Sequence, residues 1–239
     1  SQVDKLTASD AMSSDNFGSS VALSGNTALV GAPRGDTASF ADVGAAYLFQ
    51  DNGLGDWLEI AKLTASDAGL EDEFGYSVAI SGDTAVVGAW LGSSPGGISG
   101  SAYIFQRNKG GLNNWGEVIK LTGGLATTGH SFGITVSIDG DTAVVGAAGD
   151  DDAATAAGSA YVFQRDLGGQ DNWGQVAKLT AGDATANAAF GWSVAIGGDT
   201  VIVGAPQDDD VSQNAGSAYV YERNEGGVDN WGQLAKWLP

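Results

Sequence analysis

One short pair of residues limits the fold of this chain more than any other feature. Phe-Gly occurs at Phe17-Gly18, Phe74-Gly75, Phe132-Gly133 and Phe190-Gly191, at spacings of 57, 58 and 58 residues. Three further markers keep the same period. Val-Gly-Ala places Gly31, Gly88, Gly146 and Gly204 each 14 positions beyond its phenylalanine. Ala-Tyr falls at Tyr47, Tyr103, Tyr161 and Tyr219, and a tryptophan follows at Trp57, Trp115, Trp173 and Trp231. Such a chain is an array of one supersecondary unit, and each unit must stack on its neighbours to bury its apolar surface.

Each unit carries four strand signals. The first runs from Phe-Gly to a tight Gly-Asp or Gly-Asn turn, as in Phe74 to Gly82, a strong hairpin signal. The second is Thr-Ala-Val-Val-Gly-Ala (Thr84 to Ala89), followed by a longer Gly- and Asp-rich loop. The third is Gly-Ser-Ala-Tyr-Val-Phe (Gly158 to Phe163), and the fourth Gln-Val-Ala-Lys-Leu-Thr (Gln175 to Thr180). Short alternating runs of Val, Ile, Tyr and Phe dominate, and no helical periodicity exceeds one turn. The prediction is an all-β β-propeller with four four-stranded blades of roughly 58 residues each, the first strand innermost. The repeats fall at about 8–64, 65–122, 123–180 and 181–239.

Phe-Gly followed by Gly-Ala-Pro, intact at Gly31-Ala32-Pro33 and Gly204-Ala205-Pro206, resembles the FG-GAP repeat of integrin α-subunit propellers and its bacterial branch. Trp90 and Ala148 stand at the proline position in the other two units. The resemblance implies blade architecture, with the second-to-third and fourth-to-first loops gathered on one top face. It also implies an extracellular or cell-surface setting, in bacteria. Integrin propellers have seven blades; here there are four repeats. Their calcium loop in the first hairpin has no counterpart, because Ser81-Gly82-Asp83-Thr84 and its equivalents are too short to wrap an ion.

Residues 1–7 resemble a fourth strand with no blade before it, and Gln233 to Trp237 form another. Sixteen places in a closed four-blade ring thus face seventeen strands. The shorter connection favours Gln233 to Trp237 as the outer strand of the last blade. Gln2 to Thr7 then become a fifth strand against that edge or a route to self-association through a terminal strand.

Twenty-nine acidic against ten basic residues give a net charge of −19. That balance disfavours nucleic acid and anionic membranes, and no apolar run suits membrane insertion. More than half of the 29 acidic residues fall in the expected top loops, with Arg34 the lone basic one. Asp150, Asp151, Asp152, Asp208, Asp209 and Asp210 offer oxygen ligands of the kind Ca2+ prefers; the other reading is a solvated acidic surface. The residue after Phe-Gly varies: Ser19, Tyr76, Ile134, Trp192. Tyr76, Trp90 and Trp192, with the loop residue His130, form the candidate ligand-binding set, either rimming the central opening or plugging it as core. With no cysteine and one histidine, no zinc set or nucleophile elbow is present. Arg34-Gly35-Asp36 is a three-residue match to an integrin-recognition tripeptide in one unit, and chance explains it. The expected function is a non-enzymatic binding or adhesion module for a glycan or protein ligand. A structural repeat segment of a larger surface protein and a polysaccharide-active enzyme are the alternatives.

Overall fold

The structure is a computed structural model that describes residues 3–36, 41–94, 97–124 and 128–239. Blade 1 comprises β1 (Ser20–Ser24), β2 (Thr27–Ala32), β3 (Ala45–Asp51) and β4 (Trp57–Leu63). Blade 2 comprises β5 (Ser77–Ser81), β6 (Thr84–Ala89), β9 (Ser101–Arg107) and β10 (Trp115–Leu121). A small hairpin, β7 (Ser93–Ser94) with β8 (Gly97–Ile98), interrupts its second loop. Blade 3 holds β11 (Phe132–Asp139), β12 (Thr142–Ala147), β13 (Ser159–Gln164) and β14 (Gly174–Leu179). Blade 4 holds β15 (Ser193–Gly197), β16 (Thr200–Ala205), β17 (Ser217–Arg223) and β18 (Trp231–Trp237). Each blade is a four-stranded antiparallel sheet in sequential order, and no helix occurs among the described residues. The chain is therefore an all-β propeller of four four-stranded blades.

Local chemistry sets these sheets. The first hairpin of every blade closes on two residues, as in the pairs Ser24↔Thr27 and Ser81↔Thr84. Its first central residue is a left-handed glycine, Gly25 and Gly82 at φ 56°, as a type II′ turn requires. The Phe-Gly phenylalanines anchor the core. Phe74, Phe132 and Phe190 are fully buried, and each meets the tyrosine and aromatic residue of its own third strand edge-on. Phe74 lies 5.4 Å from Tyr103 and 5.9 Å from Phe105. The same phenylalanines stitch one blade to the last through the parallel bridges Gly44↔Phe74, Gly100↔Phe132 and Gly158↔Phe190.

Successive blades meet along their innermost strands, β1 on β5, β5 on β11 and β11 on β15. A glycine seat fixes each contact. A Cβ built on Gly31, Gly88 or Gly146 would stand 2.0 Å from the backbone carbonyl oxygen of Gly75, Gly133 or Gly191 in the next blade. The Ser20 and Ser77 hydroxyls donate to the Gly75 and Gly133 carbonyls, each at 2.8 Å. Apolar residues then close the wedge: Leu29, Leu48 and Leu63 of blade 1 share one buried cluster with Phe74, Val78 and Ile80 of blade 2.

The seam corrects two sequence-based expectations. The ring does not close on itself. β15 and β1 are not packed together as the other inner strands are. Gly18 has no heavy atom near its α-carbon hydrogen position, and Gly204 meets only its own blade's Ser193. Val21 and Leu23 are 70% and 65% exposed, where Val78 and Ile80 are each 8% exposed. The reason is the wedge itself. Backbone touches backbone at the glycine seat while Phe, Tyr and Leu fill the space further out, and four such wedges span less than a full turn. The second correction concerns the N-terminal segment. β18 is the outer strand of blade 4, paired with β17 as expected, but residues 3–7 add no fifth strand to it. They lie on blade 1. Leu6 packs against the buried cluster of Val30, Tyr47 and Phe49, and the Trp57 backbone N–H donates to Asp4 Oδ2 at 3.0 Å. Gln2 lies outside the described residues.

The open seam makes the four equivalent glycines unequal. Alanine at Gly88 and at Gly204 meets a serine hydroxyl of its own blade in both cases, at 2.3 and 2.4 Å, but only Gly88 also faces a carbonyl of the next blade. Gly88→Ala is expected to cost roughly 2–3 kcal/mol more than Gly204→Ala, the scale of overpacking against backbone. Urea unfolding of the two variants at low protein concentration measures the difference; equal losses would show that blade 4 has a following blade in place.

Candidate functional site

The top face is organised by one motif that recurs in each blade. The tyrosine of the third strand and the lysine of the fourth both reach a loop aspartate. In blade 1 the Tyr47 hydroxyl donates to Asp10 at 2.8 Å and Lys62 Nζ lies 2.6 Å from the same carboxylate. Tyr103, Lys120 and Asp67 repeat this in blade 2. In blade 3 the acceptor moves to the other loop: Tyr161 donates to Asp150 at 2.6 Å, and Lys178 binds Asp150 and Asp152. Blade 4 uses both loops, and Lys236 bonds Asp183, Asp208 and Asp210 beside Tyr219. The two loop sets therefore share one end of the molecule. Each ammonium also sits over its tyrosine ring, Lys236 at 5.0 Å from the Tyr219 centroid, a cation–π contact.

These knots define what the acidic residues do. Asp150 and Asp208 are 1% exposed. Burial alone would raise their carboxyls; the hydrogen bonds from tyrosine, from the Asp152 or Asp210 amide and from lysine outweigh it and hold both below the usual carboxylate range. Asp151 and Asp209 point elsewhere, accepting from the Ala156 and Asn214 amides at 2.6 Å. The six aspartates read as calcium ligands thus divide into two sets of three, one in each of two blades. In each set a lysine ammonium occupies the space a cation would take. As arranged the donors do not fit calcium, and among the described residues no group of three acidic or imidazole side chains could hold a metal ion.

The aromatic set comes together. Tyr76, Trp90 and Trp192 line one cleft of about 370 Å³ on the top inner rim, floored by Ile134, Ala148 and Ala189 and edged by Ser131, Asn187 and Gln207. Trp192 is 50% exposed and Tyr76 37%, so both side chains are open to solvent, while Trp90 packs on the cluster of Ile134, Ala148 and Ala189. Trp90 is held in place: its indole N–H donates to Glu73 Oε2 at 2.6 Å, and its ring lies 5.4 Å from Tyr76. Beyond Tyr76 a second, polar hollow of about 330 Å³ is lined by Asn16, Ser19, Pro33, Arg34 and Glu73. Arg34 Nε lies 3.8 Å from Glu73. Tyr76 is thus the shared wall of an apolar and a polar compartment that together cross the blades.

His130 is not in this cleft. It is buried, with Nδ1 3.8 Å from Asp150 Oδ2. It takes the place held in blades 1 and 2 by Asp15 and Asp72, whose carboxylates accept the Met12 and Gly69 amides. Sequence reasoning missed Glu73, Asn187 and Gln207. Gln207 follows directly on the Gly-Ala-Pro of its blade, and that adjacency was the available signal. The recurring tryptophans pack as expected, with Trp173 and Trp231 buried under Arg165 and Arg223.

An open arc of four-stranded blades with an aromatic cleft on its rim is the architecture of a propeller repeat domain. The chain belongs to the FG-GAP repeat family, whose model matches residues 1–49, 57–105, 115–163 and 173–221. Domains of this family are typically non-enzymatic binding or structural modules of extracellular or surface proteins. Among curated proteins none matches the chain significantly. Among solved structures it is similar to Sqt1 from Chaetomium thermophilum at 16% identity and a TM-score of 0.52, over 87% of this chain and 44% of that one. That likeness is one of fold, and the chain spans less than half of the longer structure. No helix among the described residues is long and apolar enough to cross a membrane.

Two outcomes follow from the knots. Lys178→Met leaves the Asp150 carboxylate buried without its cation and is expected to cost about 3 kcal/mol in denaturant unfolding, with Asp150→Asn in the same chain restoring part of the loss. Because the folded-state pKa values of Asp150 and Asp208 are depressed, their contribution is complete above the ordinary aspartate value of 3.8 and is lost as pH falls below it. The melting temperature should therefore drop steeply below about pH 4, and less steeply in the Asp150→Asn, Lys178→Met double variant.

Proposed function

We propose that the rim cleft binds a glycan, and that the chain acts outside the cell as a recognition or adhesion module. One observation carries this reading: Tyr76 and Trp90 of blade 2 and Trp192 of blade 4 converge on a single solvent-facing cleft. Aromatic faces suit the apolar C–H faces of sugar rings. Gln207, Asn187 and Ser131 supply amide and hydroxyl partners at the edge, and a few well-placed polar groups in an apolar cleft are the usual design of a small-ligand site. The acidic top face works against anionic sugars. The favoured ligands are neutral oligosaccharides and those carrying amino groups. A sugar stacked at Tyr76 could extend a further unit into the hollow at Arg34 and Glu73.

The enzyme reading has less support, because no acidic side chain lines the cleft, and Glu73 of the neighbouring hollow already serves Trp90 and Arg34. A panel of neutral and amino oligosaccharides, titrated by intrinsic tryptophan fluorescence, tests the proposal. Binding is expected to weaken at least ten-fold, about 1.4 kcal/mol, in both Trp192→Ala and Tyr76→Ala, with Trp57→Ala as a control for general fluorescence change. A panel that gives no saturable signal, or one that binds the Trp192→Ala protein equally well, would remove the glycan reading.

A further inference from the structure

The apolar cleft and the polar hollow on the rim are built from the same positions of the repeat. The residue after Phe-Gly supplies Ser19 to the hollow, Tyr76 to both compartments, and Ile134 and Trp192 to the cleft. The residue before Phe-Gly supplies Asn16 and Glu73 to the hollow, and Ser131 and Ala189 to the cleft. The residue after Gly-Ala-Pro supplies Arg34 to the hollow and Gln207 to the cleft. All of these stand at one end of the inner strands, which pack in chain order, β1 on β5, β5 on β11 and β11 on β15. The two compartments therefore lie side by side along the rim, with Tyr76 between them. The lining is polar on the blade 1 side of Tyr76 and aromatic beyond it.

We propose, resting on the glycan reading above, that cleft and hollow are neighbouring subsites for one linear oligosaccharide, and that Arg34 with Glu73 selects the unit next to the one held by the aromatic rings. Arg34 Nε lies 3.8 Å from Glu73 Oε1. That is too long for a direct hydrogen bond, and a gap of this size between polar groups suits a bridging oxygen. A sugar hydroxyl accepts from the guanidinium and donates to the carboxylate at once. The planar guanidinium carries further N–H groups beside the first, so two adjacent hydroxyls on one ring are the pattern it reads. One guanidinium and one carboxylate line the hollow, which leaves it without net charge. A carboxylate on the ligand would meet Glu73 there and an ammonium would meet Arg34, so the selected unit is uncharged.

Glu73 serves both compartments. Its Oε2 accepts the Trp90 indole N–H at 2.6 Å, which holds a ring of the cleft, while Oε1 faces Arg34 across the hollow. The pairing is particular to blade 2. Trp90 stands where blades 1 and 4 carry Pro33 and Pro206, and Glu73 where the other blades carry Asn16, Ser131 and Ala189. Glu73 is thus a positioning residue for the cleft and a binding residue for the hollow. Arg34 acts in the hollow alone. Its side chain is 53% exposed, against 15% for Glu73, so it can be replaced without disturbing the packed rim. Once one sugar unit is seated at the aromatic rings, the next binds as an intramolecular event. Affinity therefore grows with chain length until both compartments are filled.

The test is a fluorescence titration of the whole chain with β-1,4-linked glucose, mannose and N-acetylglucosamine, each as the monosaccharide, the disaccharide and the trisaccharide. In a series that binds, affinity is expected to rise roughly ten-fold or more from one unit to three. In Arg34→Ala the ratio of trisaccharide to monosaccharide affinity should fall to about one-tenth of its value in the unaltered protein. Arg34→Met, which keeps the aliphatic stem and removes the donors, should do the same. In Trp192→Ala every length should bind more weakly. Equal affinity at all three lengths would overturn the two-subsite arrangement and leave a glycan site in the aromatic cleft alone. A gain with length that survives both Arg34 variants would overturn it as well, by placing the further units outside the hollow. If no member of any series saturates, the glycan reading falls and the second subsite with it.

Discussion

The structure depends on a contact with no side chain in it. The α-carbons of Gly31, Gly88 and Gly146 rest against the carbonyls of Gly75, Gly133 and Gly191, so close that a methyl group would stand 2.0 Å from oxygen. That approach sets the distance between neighbouring blades at the axis, and close backbone approach is a role that glycine alone can fill. Everything outside the seat is scaled to it. The Phe-Gly ring, the tyrosine it meets edge-on and the leucine that ends the fourth strand fill the wedge that opens outward. The blade angle is therefore a consequence of residue sizes at two radii, and an arc short of a circle is what those sizes produce.

The acidic surface follows a related logic. A chain with net charge −19 spends some of its carboxylates internally. Asp10, Asp67, Asp150 and Asp208 each accept a tyrosine hydroxyl and a lysine ammonium, which ties the loops of the top face to the outer strand. The partners are spaced by the repeat, yet the aspartate comes from the fourth-to-first loop in blades 1 and 2, the second-to-third loop in blade 3 and both in blade 4. The geometry holds because tyrosine and lysine are fixed on adjacent strands, paired as Tyr161↔Lys178 and Tyr219↔Lys236. Any carboxylate within reach of that pair completes the knot.

Most of the architecture was legible in the sequence because the repeat printed it four times. Blade strands, the tight first hairpin and the inner position of the first strand all follow from marker spacing and turn chemistry. The open seam was not legible. Closure depends on the angle between neighbouring blades, fixed by packing between strands, and no marker in the chain encodes an angle. The purpose of Asp150 and Asp208 was hidden for a different reason. Their lysine partners lie 28 residues away on another strand, and an acidic run in a loop looks the same whether it faces solvent, a metal ion or an ammonium. The aromatic rim was legible, since Tyr76, Ile134 and Trp192 occupy one register position, and Trp90 broke the Gly-Ala-Pro pattern at the matching end of the next strand. Glu73 was harder to see: its role depends on the indole of Trp90, 17 residues on.

That register position explains how a repeat with such a rigid seat can carry a cleft that differs from blade to blade. Phenylalanine before it is buried and glycine is locked by the neighbouring backbone, with Gly75, Gly133 and Gly191 all near φ 90°. The next residue emerges at the rim, where Tyr76 and Trp192 stand exposed and Ile134 forms the floor between them. Four different residues stand at this position in the four blades, Ser19, Tyr76, Ile134 and Trp192, while the Phe-Gly pair before each is the same. Surface substitutions away from packed features cost little stability, so the rim can change its chemistry blade by blade without moving the scaffold. The cleft is asymmetric because those four positions differ, and the asymmetry gives a symmetric array one distinctive aromatic cleft.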